Sequence, residues 1–500
     1  MSVKKLALVL AVLTLMSMEL SAFRYFAKTY GTPGASESMV QFALGNDGSY
    51  VLCGTSSGEG PICIKVDSTG DIEWYRSYST CGCSDVISTS DGNFIMVSPC
   101  SGDTFRVIKF TQDGETQWDK RYIVDGGYSK IKSIRELNGY FYIGFHISFD
   151  SAGIVKLNSN GGLVWSKVYD IEGYTDEQLS NLEIADDSIL IITFSMSDQN
   201  RFGVTKISQD GDVGWNRVYS RETATMFKVF DILRVPDGYF VVGCSDTLWY
   251  LDAFILKINN QLNVEWAKSF NLLDKHDSLV AVIPTSDGNF VALGIQEDAD
   301  PNGQGFDYTF FMKFNSSGNI LWTRRFRKVN EGYYGVNIME TPGGQLVFAG
   351  NKNVYNMKDY LLVTMQSDGT FPGSCEYFGD ESRTTSSLVL TSSDKPVSSQ
   401  TITVTEDTVS NSCPFDVNTL CESSTGLGED GGPCAHPSPY QGATVVHGAL
   451  QLKKIQGVTY QVWRPDGHII YEGKGTKLLL PNGVYFVDDG SIRRKVLVIK

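Results

Sequence analysis

The chain has 500 residues, of which 50 are glycine, 12 % aromatic, 20 % charged and 42 % hydrophobic, with a formal net charge of −15. That length makes more than one domain the expectation, and the acidity argues against nucleic acid as a partner, because phosphate contacts need clustered Lys and Arg. Abundant Gly and aromatics beside few helix-favouring blocks point to many short strands joined by turns.

The first segment reads as a signal peptide over 1–22. Lys4 and Lys5 form a basic start, residues 6–18 an apolar run too short to span a bilayer comfortably, and Leu20-Ser21-Ala22 a cleavage site. No other segment is long and apolar enough to cross a membrane, so the mature chain is expected to lack a transmembrane segment and to be secreted or held at the cell surface. All ten cysteines lie beyond residue 22, where export permits disulfides. Proximity in sequence predicts Cys375–Cys413 and Cys421–Cys434. Among Cys53, Cys63, Cys81, Cys83 and Cys100 no pairing is indicated.

Residues 23–370 are a repeat. Each unit runs through an Asp-Gly turn, an apolar strand, a variable loop, an apolar strand ending in Lys, a Gly turn, and a strand with Trp. Lys65/Trp74, Lys109/Trp118, Lys156/Trp165, Lys206/Trp215, Lys257/Trp266 and Lys313/Trp322 share one spacing, and an aromatic follows four residues after each Trp (Tyr78, Tyr122, Tyr169, Tyr219, Phe270, Phe326). Four short strands per unit and a period of about 44–56 residues are the signature of a β-propeller blade. A seventh unit ends after residue 365 without its Trp strand, while 23–30 matches a Trp strand with nothing before it. The expected fold is therefore all-β: a seven-bladed β-propeller closed by an N-terminal strand. An open solenoid would leave both incomplete units unexplained.

A residue needed in every unit serves packing, so Trp74, Trp118, Trp165, Trp215, Trp266 and Trp322 are assigned structural roles. A four-residue turn at 67–70 would set Cys63 opposite Trp74 and Lys65 opposite Ile72, making Lys65 and Trp74 diagonal neighbours on one face.

Repeats such as Asp237-Gly238-Tyr239-Phe240-Val241-Val242-Gly243, with Ile255-Leu256-Lys257 and Trp266, resemble those of secreted bacterial and archaeal propellers, over residues 23 to about 370. That resemblance implies a fold rather than an activity. The segment Asp67-Ser68-Thr69-Gly70-Asp71-Ile72-Glu73-Trp74 also resembles the tryptophan-docking motif of pyrroloquinoline-quinone dehydrogenases and their non-enzymatic relatives. It departs from that motif in placing Asp seven rather than eight residues before Trp, and the chain has no vicinal Cys pair.

Residues 371–442 are rich in Ser, Thr, Pro, Gly and Cys. They read as an extension with short strands at 387–391 and 401–405, and a linker across 423–439. Residues 443–500 read as a small β-sandwich. Pro465-Asp466-Gly467, Pro481-Asn482-Gly483-Val484-Tyr485-Phe486-Val487 and the terminal Arg493–Lys500 strand resemble the C-terminal sorting domain of the type IX secretion system. The resemblance implies the secretion machinery as a partner.

Antiparallel order places all variable loops on one face of the disc, where function is expected. Trp249, Tyr250, Tyr333, Tyr334, Tyr128, Tyr174 and Tyr355 gather there and suit sugar rings or a protein partner. Asp298, Asp300 and Asn302 around Gly303, with Asp307 after them, supply oxygens for calcium, the one cofactor candidate. No nucleophile elbow, H-E-x-x-H or phosphate loop occurs, so no catalytic residue is assigned. The expected function is non-catalytic binding of protein or glycan through the variable face. The alternatives are a secreted glycoside hydrolase or lyase, whose paired carboxylates need only spatial proximity, and a quinoprotein-like dehydrogenase.

Overall fold

The computed structural model describes residues 25–422 apart from 33–34, 58–59, 79–80, 101–102, 125–128, 148–150, 172–176, 187, 196–200, 222–223, 225, 248–249, 272–274, 300–304, 355–356, 382, 388–389, 395–396, 402–403 and 408–415; beyond 422 it describes the strands given below. The chain divides into two compact units, Met1–Thr425 and Gly426–Lys500.

The first unit is all-β in a β-propeller arrangement of antiparallel sheets. The expectation of uniform four-stranded units is corrected: six sheets have five strands, and only that of Glu37–Leu44, Tyr50–Ser56, Gly60–Val66 and Ile72–Ser77 has four. The others are built on 85–124, 129–171, 177–220, 227–271, 277–326 and 332–365. The 332–365 sheet takes its Trp-type strand from the other end of the chain. Phe26–Gly31 pairs antiparallel with Met357–Met365, setting Ala27 opposite Val363 and Tyr30 opposite Tyr360. Phe26, Ala27 and Tyr30 are fully buried there.

The fifth strands come from the extension. Phe378–Asp380, Thr384–Ser387, Thr391–Asp394, Val397–Thr401 and Val404–Asp407 add in turn to the outer edges of the 277–326, 227–271, 177–220, 129–171 and 85–124 sheets, and Asp416–Glu422 then covers Phe26–Gly31. The extension thus runs backwards round the rim, one strand per sheet. Phe378, Thr385, Ser392, Ser399 and Glu406, seven residues apart, face Phe326, Phe270, Tyr219, Tyr169 and Tyr122. The strand boundaries therefore differ from those expected at 387–391 and 401–405. The backbone ladder, not an apolar alternation, holds these strands, and it caps outer edges that would otherwise be open to pairing.

The register of the repeat also differs from expectation. Lys65 lies directly opposite Trp74 and Cys63 opposite Arg76, two residues on from expectation: Val66 pairs with Ile72 across a five-residue rather than four-residue connection, and a bulge between Lys65 and Val66 adds the second residue. The same bulge recurs at Lys109, Lys156, Lys206, Lys257 and Lys313. In four sheets the ammonium reaches the Asp of its own Asp-Gly turn: Lys65 to Asp47 at 2.7 Å, Lys109 to Asp91 at 2.5 Å, Lys313 to Asp287 at 2.7 Å, and Lys257 to Asp237. This couples two signatures of the repeat that are 18 to 26 residues apart in sequence.

Sheets are fastened to their neighbours by the aromatics of the Trp strand. Trp74 and Trp118 donate Nε1–H to the carbonyls of Gln112 and Ser159 in the next sheet. Tyr30, Tyr122, Tyr169 and Tyr219 donate to the carbonyls of Gly70, Gly161, Gly211 and Leu262. Each phenol is buried, so each of these bonds replaces one otherwise lost to water, contributing about 1 kcal/mol. Gly70 takes φ +81° at such a turn, and a side chain there would stand 2.6 Å from the Phe26 ring.

Cys53–Cys63 and Cys81–Cys100 are disulfides, Cys83 and Cys244 are buried free thiols, and Cys375 is disulfide-bonded. Cys413 and Cys434 of the expected pairs lie outside the described residues.

The second unit has a five-stranded sheet in the order Thr444–His447, Arg493–Ile499, Gly483–Asp488, Tyr460–Trp463, Ile469–Gly473, and a two-stranded one of Leu450–Gln451 and Lys477–Leu478. Thr444–His447 runs parallel to Arg493–Ile499, a pairing that hairpin turns alone do not produce. The segment 423–439 lies outside the described residues. No helix among the described residues is long and apolar enough to cross a membrane.

Candidate ligand-binding face

Three adjoining sheets, 227–271, 277–326 and 332–365, bring polar and aromatic groups together at their variable-loop ends. Tyr250 opens the strand Tyr250–Asn259, is 38 % exposed, and sets its ring 5.5 Å from that of His276. His276 lies just ahead of the inner strand Asp277–Pro284. Its Nδ1 accepts the Leu251 N–H at 3.1 Å, and its Nε2 is 4.0 Å from Glu297 Oε2. With Nδ1 an acceptor, Nε2 is the nitrogen that carries the proton and points toward the carboxylate.

Glu297 and Asp307 face each other across the hairpin of Phe290–Ala299 and Gly305–Phe314. Burial, then the Glu297 charge, push the Asp307 carboxyl above its ordinary value, and a hydrogen bond with Tyr334 opposes the shift. Asn353 Nδ2 donates to the Tyr334 hydroxyl at 3.4 Å, and Lys358 Nζ sits 6.0 Å from the Tyr334 ring centroid. Two partly exposed aromatics thus flank an imidazole, two carboxylates and an amide. Such groups can stack on an apolar ring face and hydrogen-bond hydroxyls around it.

Of the candidate residues, Tyr250, Tyr334 and Asp307 belong to this face. Tyr333 does not: it is fully buried, its hydroxyl bonds Glu331, and its ring packs on Phe326 and Tyr377. Neighbouring residues of a strand point to opposite faces, so Tyr333 and Tyr334 cannot share one surface. Asp298 lies on the hairpin strand opposite Phe306. Trp249, Tyr128, Tyr174, Tyr355, Asp300 and Asn302 lie outside the described residues. No cluster of three or more metal-ligating His, Cys, Asp or Glu side chains occurs among the described residues. The sequence assigned no role to His276 or Glu297, because single residues at strand ends carry no spacing signal.

A second polar assembly encircles the axis. The inner strands bulge, and the residue after the bulge is Gln41, Ser133, Asn181, Asp231, Ala281 or Asn337. Gln41, Asn181, Asp231 and Asn337, and Asp85 in the remaining sheet, each accept the N–H of the following residue. They also link neighbouring sheets. Asn337 donates to Gln41 at 2.8 Å, Arg135 donates to Asp85 at 2.9 Å and to Asn181 at 3.0 Å, and Asn181 donates to Asp231 at 2.9 Å. Burial pushes Glu183 up to about 7 and Asp231 up to about 6, against the pull of the Arg135 guanidinium on both. This collar ties its polar groups to one another, which fits it for holding the inner strands together.

No family model and no curated protein matches the sequence. Solved structures do resemble it. The Dos1 propeller is 10 % identical, covers 70 % of this chain and 97 % of its own, and has a TM-score of 0.40. A protein of unknown function from Bacteroides caccae is 10 % identical over 60 % of this chain and 93 % of its own, with a TM-score of 0.31. The quinohemoprotein alcohol dehydrogenase ADHIIG from Pseudomonas putida HK5 is 8 % identical over 69 % and 77 %, with a TM-score of 0.38.

Proposed function

We propose that the six five-stranded sheets and the four-stranded one act as a ring of seven blades, and that its variable-loop face binds carbohydrate without transforming it. The carrying observation is the pair Tyr250 and Tyr334 on either side of His276, Glu297, Asp307 and Asn353. Aromatic faces supply stacking area, while the polar groups between them supply both donors and acceptors for sugar hydroxyls. In this reading 1–22 directs export, and 443–500 serves as a sorting or attachment module that contributes nothing to the ligand site.

A glycan array probed with the mature protein tests this. Binding to a defined glycan class, weakened at least tenfold by Tyr250→Ala or Tyr334→Ala, is expected. Binding indifferent to both changes, or no glycan bound and a protein partner captured instead, would remove the carbohydrate reading. Turnover of a bound glycan would replace it with the hydrolase or lyase alternative, for which Glu297 and Asp307 are the first carboxylates to change.

A further inference from the structure

A carboxylate pair lies at the seam where the chain closes on itself. Glu37 heads the inner strand Glu37–Leu44 and is fully buried. Asp359 comes from Met357–Met365, and Gly31 ends Phe26–Gly31 between them. A side chain on Gly31 would stand 2.1 Å from Asp359 Oδ1 and 3.3 Å from Glu37 Oε2, so both oxygens close on one point that only glycine leaves open. Glu37 Oε2 has no hydrogen-bond partner, whereas Oε1 accepts from the Ser56 hydroxyl at 3.4 Å, and Thr32 gives the same carboxylate a backbone and a side-chain hydrogen bond.

An unpartnered buried carboxylate oxygen beside a second carboxylate is costly unless positive charge sits between them. The repeat shows what such a position demands. Asp277 heads its inner strand opposite Gln296, as Glu37 does opposite Ser56. There Arg383 of the rim extension brings its guanidinium to 2.9 Å from Asp277, with both side chains 0 % exposed. Lys352, the cation whose charge acts on Asp359, is engaged with Glu331 at 3.1 Å.

We propose that Glu37 and Asp359 bind a hard divalent cation, calcium, at the closing seam of the propeller. Carboxylate oxygens from both residues face the ion, the Ser56 hydroxyl lies within reach, and water completes the shell. All are oxygen donors of the kind calcium prefers. Burial raises the carboxyls of both residues, against hydrogen bonds from Thr32 and Ser56 to Glu37 and the Lys352 charge on Asp359. Its residues come from other strands than those that carry Asp298 and Asp307.

The test is calorimetric titration of calcium chloride into the mature protein after chelator treatment, with melting temperature recorded with and without the ion. One equivalent should bind and raise the melting temperature. Glu37→Gln and Asp359→Asn, both near-isosteric, should each weaken binding at least tenfold, and either variant suffices if the other does not fold. Asp298→Asn with Asp300→Asn should leave the affinity unchanged. No calcium binding by the unaltered protein, full affinity in both seam variants, or loss confined to the hairpin variant would each overturn the assignment.

Discussion

Arg383 and Asp277 meet at 2.9 Å with neither side chain exposed, and the guanidinium also lies 3.4 Å above the centroid of the Phe310 ring. The pair joins the rim extension to an inner strand through the full depth of the blade. Gln296 Nε2 donates to the same Asp277 oxygen at 2.6 Å, while Glu381 accepts from Arg383 at 3.1 Å and from the Tyr308 hydroxyl at 2.8 Å. The extension is thus anchored by a charged side chain at the point where it leaves its first blade.

Replacing Arg383 should therefore harm the whole propeller, not only its rim. Arg383→Met leaves Asp277 buried without its guanidinium, and losing one member of a buried pair costs about 3–5 kcal/mol. Adding Asp277→Asn should recover part of that loss, because the stranded charge is gone. Urea unfolding of the two single variants and the double variant measures the coupling. Equal stability of Arg383→Met and the unaltered protein would show that the extension is decoration.

The axial collar predicts a pH dependence of opposite sign to the usual carboxylate case. Glu183 and Asp231 are raised to about 7 and about 6, chiefly by burial. The folded state therefore favours their protonated forms. Their favourable contribution is complete below the unfolded values, near pH 4, and is lost as pH rises through 6 to 7. Glu183→Gln should flatten this decline and, at pH 8, stabilise the protein by about 1 kcal/mol. Denaturant midpoints from pH 4 to pH 8 check it; a stability that climbs across this range in the unaltered protein and is unchanged in the variant would refute the collar's titration.

The propeller arrangement was legible in the sequence because one Lys–Trp spacing repeats six times and two incomplete units complement each other. The pairing of Tyr30 with Tyr360 bears out that complementarity. Register was less legible: a bulge opposite Lys65 adds a residue without any Gly or Pro to announce it. Of the rim strands only two were expected, and with other bounds, because four-residue Ser/Thr segments such as Thr384–Ser387 have no apolar alternation, and only the seven-residue interval from Phe378 to Glu406 betrays the set. Tyr333 was misplaced for a different reason. Two adjacent aromatics look alike in sequence, and only strand pairing decides that Tyr333 enters the core while Tyr334 stays partly exposed.

The N-terminal strand should decide whether the first unit folds. Phe26–Gly31 has a neighbour on each side, Met357–Met365 within the blade and Asp416–Glu422 on the rim. Phe26, Ala27 and Tyr30 are withdrawn from solvent, and Tyr30 also fastens the blade to Gly70 of the next. Burying two aromatic side chains contributes about 4 kcal/mol by area alone, and the lost strand would open Met357–Met365 and Asp416–Glu422 as unpaired edges. Since domains are stable by only about 5–15 kcal/mol, a chain beginning at residue 33 should aggregate, whereas one beginning at residue 23 should remain monomeric with a cooperative melt. A synthetic peptide covering 23–32, added during refolding, should restore the soluble fraction of the shortened chain; its failure to do so, or a shortened chain that melts like the longer one, would show that the strand is not what closes the ring.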